Sequence, residues 1–189
     1  MKISKKYKKN IFCLEGDWQK DLRQQSSIFA SLMFLEKNCD IKYIHKHCGT
    51  KESLFYYLSQ WKLKKYSNYS ICYIAFHGNE GEIKIGKEDI TLEEISEILK
   101  DSCKDKIIFF GSCLVLQAEN SRIKDFLKKT GALCVCGYKV SVDFLTSSVF
   151  EMLVFDMFQK YRDVSCVQRD IGIYYDTLSK ELDFKIHTL

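Results

Sequence analysis

The chain has 189 residues, 46% of them hydrophobic and 29% charged, with a net charge of +4. That length suits one domain burying roughly 70% of the surface its unfolded chain would expose, and the composition excludes a disordered or fibrous protein. Beyond the first ten residues the charge forms no basic stripe, which disfavours nucleic acid as a partner.

Residues 1–10 carry five lysines and no acid. Such an arm can touch an anionic surface, but the reading adopted is a frayed, solvated terminus. It does not open a signal peptide: the apolar stretch behind it, Ile11–Leu14, stops at Glu15, whereas a signal h-region needs about 7–15 residues. No run approaches the ~20 apolar residues of a transmembrane helix. The expectation is a cytoplasmic protein that neither is exported nor enters a membrane. Nine cysteines then read as reduced thiols, with Cys72, Cys134 and Cys136 in apolar runs where Cys acts as a small buried hydrophobe.

Residues 11–189 read as a single domain. Ile11–Leu14 is a first strand closed by Gly16-Asp17, and Asp17 is placed to cap a helix over about 18–37. In that helix Leu22, Ile28, Phe29, Leu32, Met33 and Leu35 recur at spacings of three, four and seven, the signature of one apolar face. Ile41–His47 is a second strand. Thr50 caps the next helix, with Glu52 in its first turn and Leu54, Phe55, Leu58 and Trp61 facing inward. Ser70–Phe76 is apolar on both faces, as a strand covered on both sides must be. A hairpin over Glu82–Ile90 leads to a capping box, Thr91-Leu-Glu-Glu94, that opens a helix to about Lys100. Lys106–Phe110 is the fourth strand, 122–129 a helix and Ala132–Cys136 the fifth strand. A strongly apolar helix over Phe144–Tyr161, a helix over about 163–181 and an edge strand at Phe184–His187 complete the chain. Strands alternating with such helices imply right-handed crossovers. The expected architecture is a three-layer α/β/α sandwich with a mainly parallel central sheet.

Open parallel sheets present reactive groups at the carboxyl ends of their strands. The third strand ends in His77-Gly78 and the fourth in Gly111-Ser112-Cys113; if the two strands are neighbours, an imidazole and a thiol emerge side by side. An imidazole that accepts a thiol's proton makes the thiolate that attacks an acyl carbon. Gly78, without a β-carbon, lets its N–H approach a substrate oxygen closely.

These residues resemble a known pattern. Cys72-Tyr-Ile-Ala-Phe-His-Gly-Asn-Glu-Gly-Glu-Ile83 is similar to the caspase-like apolar strand followed by His-Gly, two residues, Gly and an aliphatic. Asp105-Lys-Ile-Ile-Phe-Phe-Gly-Ser-Cys113 resembles the second strand leading to the nucleophile. The hairpin with Ile90–Ile95, and the stretch from Gly137 to Phe158, look like segments of CHAT domains, bacterial relatives of caspases and separase. The resemblance covers about Ser70 to Phe158. It implies a caspase-like cysteine endopeptidase that needs no cofactor, with His77 as base, Cys113 as nucleophile and Gly78 as oxyanion donor. It further implies a regulatory peptidase of the kind found in bacterial defence or programmed death, acting on a protein or peptide substrate and switched on by a partner.

Three features depart from that pattern. Gly111-Ser112 replaces the commoner Ala or Gln-Ala, Leu114 follows the cysteine, and the His-to-Cys interval is shorter than the ~50 residues of caspases. The arginines with which caspases hold a substrate Asp have no counterpart: the first loop is acidic, and Arg23 falls inside the predicted helix. Asp143 lies near the position where separase and some CHAT-like enzymes present a carboxylate to a basic substrate side chain. It is therefore a candidate substrate-binding residue, with helix capping as the competing reading.

His45-Lys-His47-Cys48 is set aside as a metal cluster because no second ligand pair accompanies it. No phosphate-binding glycine motif occurs, and the aromatics form no stacking platform. The rival functional readings are a pseudo-peptidase that uses the cleft to bind a partner, and a flavodoxin-like ligand-binding domain.

Overall fold

A computed structural model describes residues 8–21 and 23–189. Most of the basic arm (residues 1–7) and Leu22, from the predicted helical face, lie outside the described residues. Lys8 is exposed, as expected of the arm, whereas Lys9 is anchored against the domain. Lys8 pairs with Asp40 at 2.9 Å. The Lys9 ammonium donates to the Phe158 and Tyr161 carbonyls, both at 2.7 Å, where burial lowers its pKa to about 8.

Six strands form the main sheet: β1 (Ile11–Glu15), β2 (Tyr43–His47), β3 (Ile71–Ala75), β7 (Ile107–Phe110), β8 (Cys134–Tyr138) and β9 (Phe184–His187), in the order β2-β1-β3-β7-β8-β9. All neighbours run parallel except β9, which is antiparallel to β8. Three short strands, β4 (His77–Asn79), β5 (Glu82–Ile85) and β6 (Glu88–Thr91), make a separate antiparallel sheet after β3.

The helices are α1 (Phe29–Cys39), α2 (Lys51–Trp61), α3 (Leu92–Ile98), α4 (Asn120–Thr130), α5 (Phe144–Lys160), α6 (Val164–Tyr174) and α7 (Asp176–Glu181). Alternate residues of β3 enter two different cores. Cys72, Ile74 and Phe76 pack with Leu54, Leu58 and Trp61 of α2, Ile95 of α3 and Phe126 of α4. Ile71, Tyr73 and Ala75 pack with Leu32 and Leu35 of α1, Phe150, Val154 and Phe155 of α5 and Val167 of α6. The period-two alternation of a strand therefore serves both faces at once.

Capping follows the sequence at two helices. Thr50 and Ser53 form a reciprocal cap on α2, and Thr91 with Glu94 does the same for α3. The first helix is a correction. It starts at Phe29 rather than near 18, and residues 16–21 and 23–28 lie in a long connection in place of a short acidic loop. Asp17 is not its cap: its carboxylate lies 2.9 Å from Nε2 of His47. Arg23 sits in this connection, bonded to Asp21. The helix expected over 163–181 is two, separated at Tyr175, whose φ of −134° is not helical.

Candidate functional site

β3 and β7 are direct neighbours in register, Ile74 opposite Phe110, and the Gly111 N–H bonds the Ile74 carbonyl at 2.9 Å. Their carboxyl ends therefore bring His77 and Cys113 to the rim of one cavity of about 100 Å³, whose lining also includes Trp18, Tyr73, Phe144 and Glu151.

Ser112 explains how the Cys113 loop is held. Its buried hydroxyl accepts from the Phe76 N–H at 3.2 Å and lies 3.3 Å from the Ile74 carbonyl, to which it donates. That clasp ties the turn before Cys113 to the end of β3. Leu114 then takes a left-handed conformation, φ 63°, which a non-glycine residue adopts only at a cost of order 1–3 kcal/mol. Its N–H bonds the Val140 carbonyl at 3.1 Å, which pins the turn. The Cys113 sulfur lies 3.3 Å from the Val142 N–H, with the Ser141 hydroxyl at 3.8 Å. A sulfur anion accepts from such donors more strongly than a neutral thiol does.

Gly78 is required by packing. A β-carbon there would stand 2.4 Å from the Cys113 carbonyl oxygen and 3.0 Å from the Ser112 Cβ. The glycine thus lets β4 run flush against the Cys113 loop.

His77 is exposed, and its Nε2 lies 2.7 Å from the Trp18 carbonyl. A carbonyl can only accept, so Nε2 carries the proton and Nδ1 holds the lone pair in the neutral ring. The Trp18 indole meets both the His77 ring and Phe144 edge-on, at 5.4 and 5.2 Å between centroids. His77 and Cys113 share the cavity but are not hydrogen-bonded to each other.

Two buried carboxylates flank this arrangement, and neither was singled out as a site residue from sequence. Glu15, at the end of β1, accepts from Trp18 Nε1 (2.6 Å), the Ile28 N–H (2.8 Å), the Ser27 hydroxyl (2.7 Å) and His45 Nε2 (2.7 Å). Burial opposes its ionisation, yet the bonds from His45, Trp18, Ile28 and Ser27 together hold its carboxyl below the usual carboxylate range. Glu151 of α5 is 3% exposed and borders the cavity. Tyr73 donates to one of its oxygens and Tyr138 to the other, the latter at 3.0 Å. Burial raises its pKa to about 7, against the pull of those two hydroxyls. The sequence signal was present in both cases: an acid closing an apolar strand, and an acid inside the most apolar helix.

Asp143 is the N-cap of α5 and does not line the cavity. Its Oδ1 accepts from the Thr146 N–H and hydroxyl, both at 2.9 Å, and those bonds lower its pKa. Asp143 is therefore a helix cap, and the carboxylate that borders the cavity is Glu151. His45 and His47 are each paired with a carboxylate, Glu15 and Asp17. Among the described residues no group of three or more His, Cys, Asp or Glu is arranged to hold a metal ion, and no helix is long and apolar enough to cross a membrane.

Burial sorts the other thiols. It raises the pKa values of Cys13, Cys72 and Cys136 far above the ordinary value and those of Cys48 and Cys103 to about 12. Cys39, Cys113 and Cys166 are the partly exposed cysteines.

No curated protein matches the chain. One family model does match, over residues 8–188, and its description is Family of unknown function (DUF6642). Because that match spans nearly every residue, the chain belongs to this family of unknown function.

Proposed function

We propose that the chain is a caspase-like cysteine endopeptidase of the CHAT-like kind, a three-layer α/β/α sandwich acting in the cytoplasm on a protein or peptide substrate. The observation that carries this reading is the shared cavity of His77 and Cys113 at the ends of two paired parallel strands, with His77 Nε2 committed to the Trp18 carbonyl. That commitment leaves Nδ1 as the base. In the proposed reaction Nδ1 takes the Cys113 proton and the sulfur attacks the scissile carbonyl. The amine leaves with the proton from His77, and water then hydrolyses the thioester. The Gly78 N–H is the proposed oxyanion donor, a role supported by how closely β4 approaches the nucleophile loop. The two cores on opposite faces of the sheet support the layered architecture.

The test is an unbiased peptide-library digest comparing wild type with Cys113→Ala. Products made by wild type and absent from the variant support the proposal. Identical digests, together with slow alkylation of Cys113, would leave the cleft as a partner-binding surface and refute the enzyme.

A further inference from the structure

We propose that Glu15 is a positioning residue for His77, acting through Trp18; this rests on the reading of His77 as the base of the site. His77 is held from one side by the connection between β1 and α1, whose described residues, 16–21 and 23–28, form no helix or strand. That segment presents both the Trp18 carbonyl to Nε2 and the Trp18 indole edge to the imidazole ring. What fixes Trp18 is therefore what fixes the base.

The Glu15 carboxylate ties together the two ends of this segment. Oε1 takes Trp18 Nε1 near its start and the Ile28 N–H at its end, while Oε2 takes the Ser27 hydroxyl and His45 of β2. Glu15 is itself immobile, at 2% exposure on a strand paired on both sides. A second cross-link, Gln19 to Ser26 at 2.7 Å, closes the middle of the segment and involves neither the Trp18 indole nor the Glu15 carboxylate. Trp18 thus carries a relay: a carboxylate on its indole nitrogen and the imidazole on its carbonyl. Hydrogen bonds to a charged group are the strong kind, and short bonds of this sort hold a ring in one orientation, as carboxylates and carbonyls do for histidines elsewhere.

The experiment reads the imidazole directly and needs no substrate. In full-length chain labelled with nitrogen-15 at histidine, the His77 Nε2–H proton, assigned by its loss in His77→Ala, is followed by side-chain NMR at neutral pH. Wild type should show it protected from exchange with water. Trp18→Phe, which deletes the indole donor and keeps an aromatic edge, should speed its exchange at least tenfold, and Glu15→Ala should do the same. Glu15→Gln should retain protection, because its amide oxygen can still accept from Trp18 and Ile28. Gln19→Ala, which cuts the other cross-link, should leave the signal unchanged. Protection unaltered in Trp18→Phe would overturn the proposal, even where Glu15→Ala fails to fold. Gln19→Ala matching the effect of Trp18→Phe would also overturn it, since general looseness of the segment would then explain both. Cys113 alkylation is measured alongside. Slow alkylation in wild type with a protected His77 proton would count against the peptidase and leave the positioning role standing.

Discussion

Glu151→Gln removes a charge, and almost nothing else, from the floor of the cavity. The glutamine can still accept a tyrosine hydroxyl through its carbonyl and donate to the other tyrosine oxygen through its NH2. The carboxyl ionises near 4.5 in an exposed setting and at about 7 here because burial penalises the charged form. A group whose folded pKa lies above its unfolded value favours the folded chain at low pH. That advantage is complete below about 4.5 and is lost as pH rises to about 7. The interval corresponds to about 3 kcal/mol. Burial lowers the pKa of His187, so it titrates in an overlapping window with the opposite sign: a histidine buried neutral loses stability as pH falls. Subtracting the variant's curve from that of wild type cancels this contribution. Urea unfolding of both proteins at intervals from pH 4.5 to 8 should give a difference that swings by about 3 kcal/mol in favour of Glu151→Gln. With m of about 1–3 kcal/mol/M, this is a relative midpoint shift of about 1–3 M. A flat difference across the range would show that Glu151 stays ionised or solvated, and the account of its burial would fail.

Further outcomes follow from the site. Brief iodoacetamide treatment with peptide mapping should label Cys113 ahead of Cys39 and Cys166, and His77→Ala should slow that labelling at neutral pH. Preferential modification of another cysteine would remove the dyad. Gly78→Ala forces a β-carbon against the Cys113 carbonyl; overpacking of this kind costs about 1–3 kcal/mol, and the variant should both melt earlier and lose selective labelling of Cys113. Asp143→Ala deletes the N-cap of α5, which should lower the thermal midpoint modestly while leaving Cys113 labelling unchanged. Finally, any activity should belong to the uncut chain. The segment between Cys113 and β8 is occupied by α4 and a short 3-10 turn, and an active form found only as two fragments split there would contradict this.

The sheet was legible because its four inner strands are buried on both faces and bounded by turn residues, a pattern few alternatives share. The pairing of β3 with β7, needed to bring His77 beside Cys113, enters the sequence reading only as a condition and is observed in register. The first helix misled because Ile28, Phe29, Leu32, Met33 and Leu35 keep a helical spacing that Leu22 extends backward. Periodicity cannot reveal that the Glu15 carboxylate captures the Ile28 N–H and diverts the chain before that point. The break at Tyr175 was hidden in the same way, because the buried Val164, Val167 and Ile171 and then Leu178 run through it at regular intervals. Asp143 allowed two readings from sequence, and the geometry of Thr146 shows the capping one. Glu15 and Glu151 were missed as site residues because their importance lies in partners far along the chain, Trp18 excepted.

The contact of Gly78 with the Cys113 carbonyl changes what the two motifs mean as markers. Read along the chain, His-Gly and Ser-Cys count as separate coincidences pointing to the same chemistry. In space the glycine and the cysteine loop interlock, so a side chain at 78 obliges the loop at 112–113 to move. Selection for folding alone would then preserve Gly78 in a relative that has lost every activity. The imidazole of His77 is not packed in that way: it is exposed, and its side-chain hydrogen bond goes to the Trp18 carbonyl rather than into the core. If the proposed chemistry is right, the imidazole at 77 is the position whose loss or retention should separate working members of this family from scaffolds.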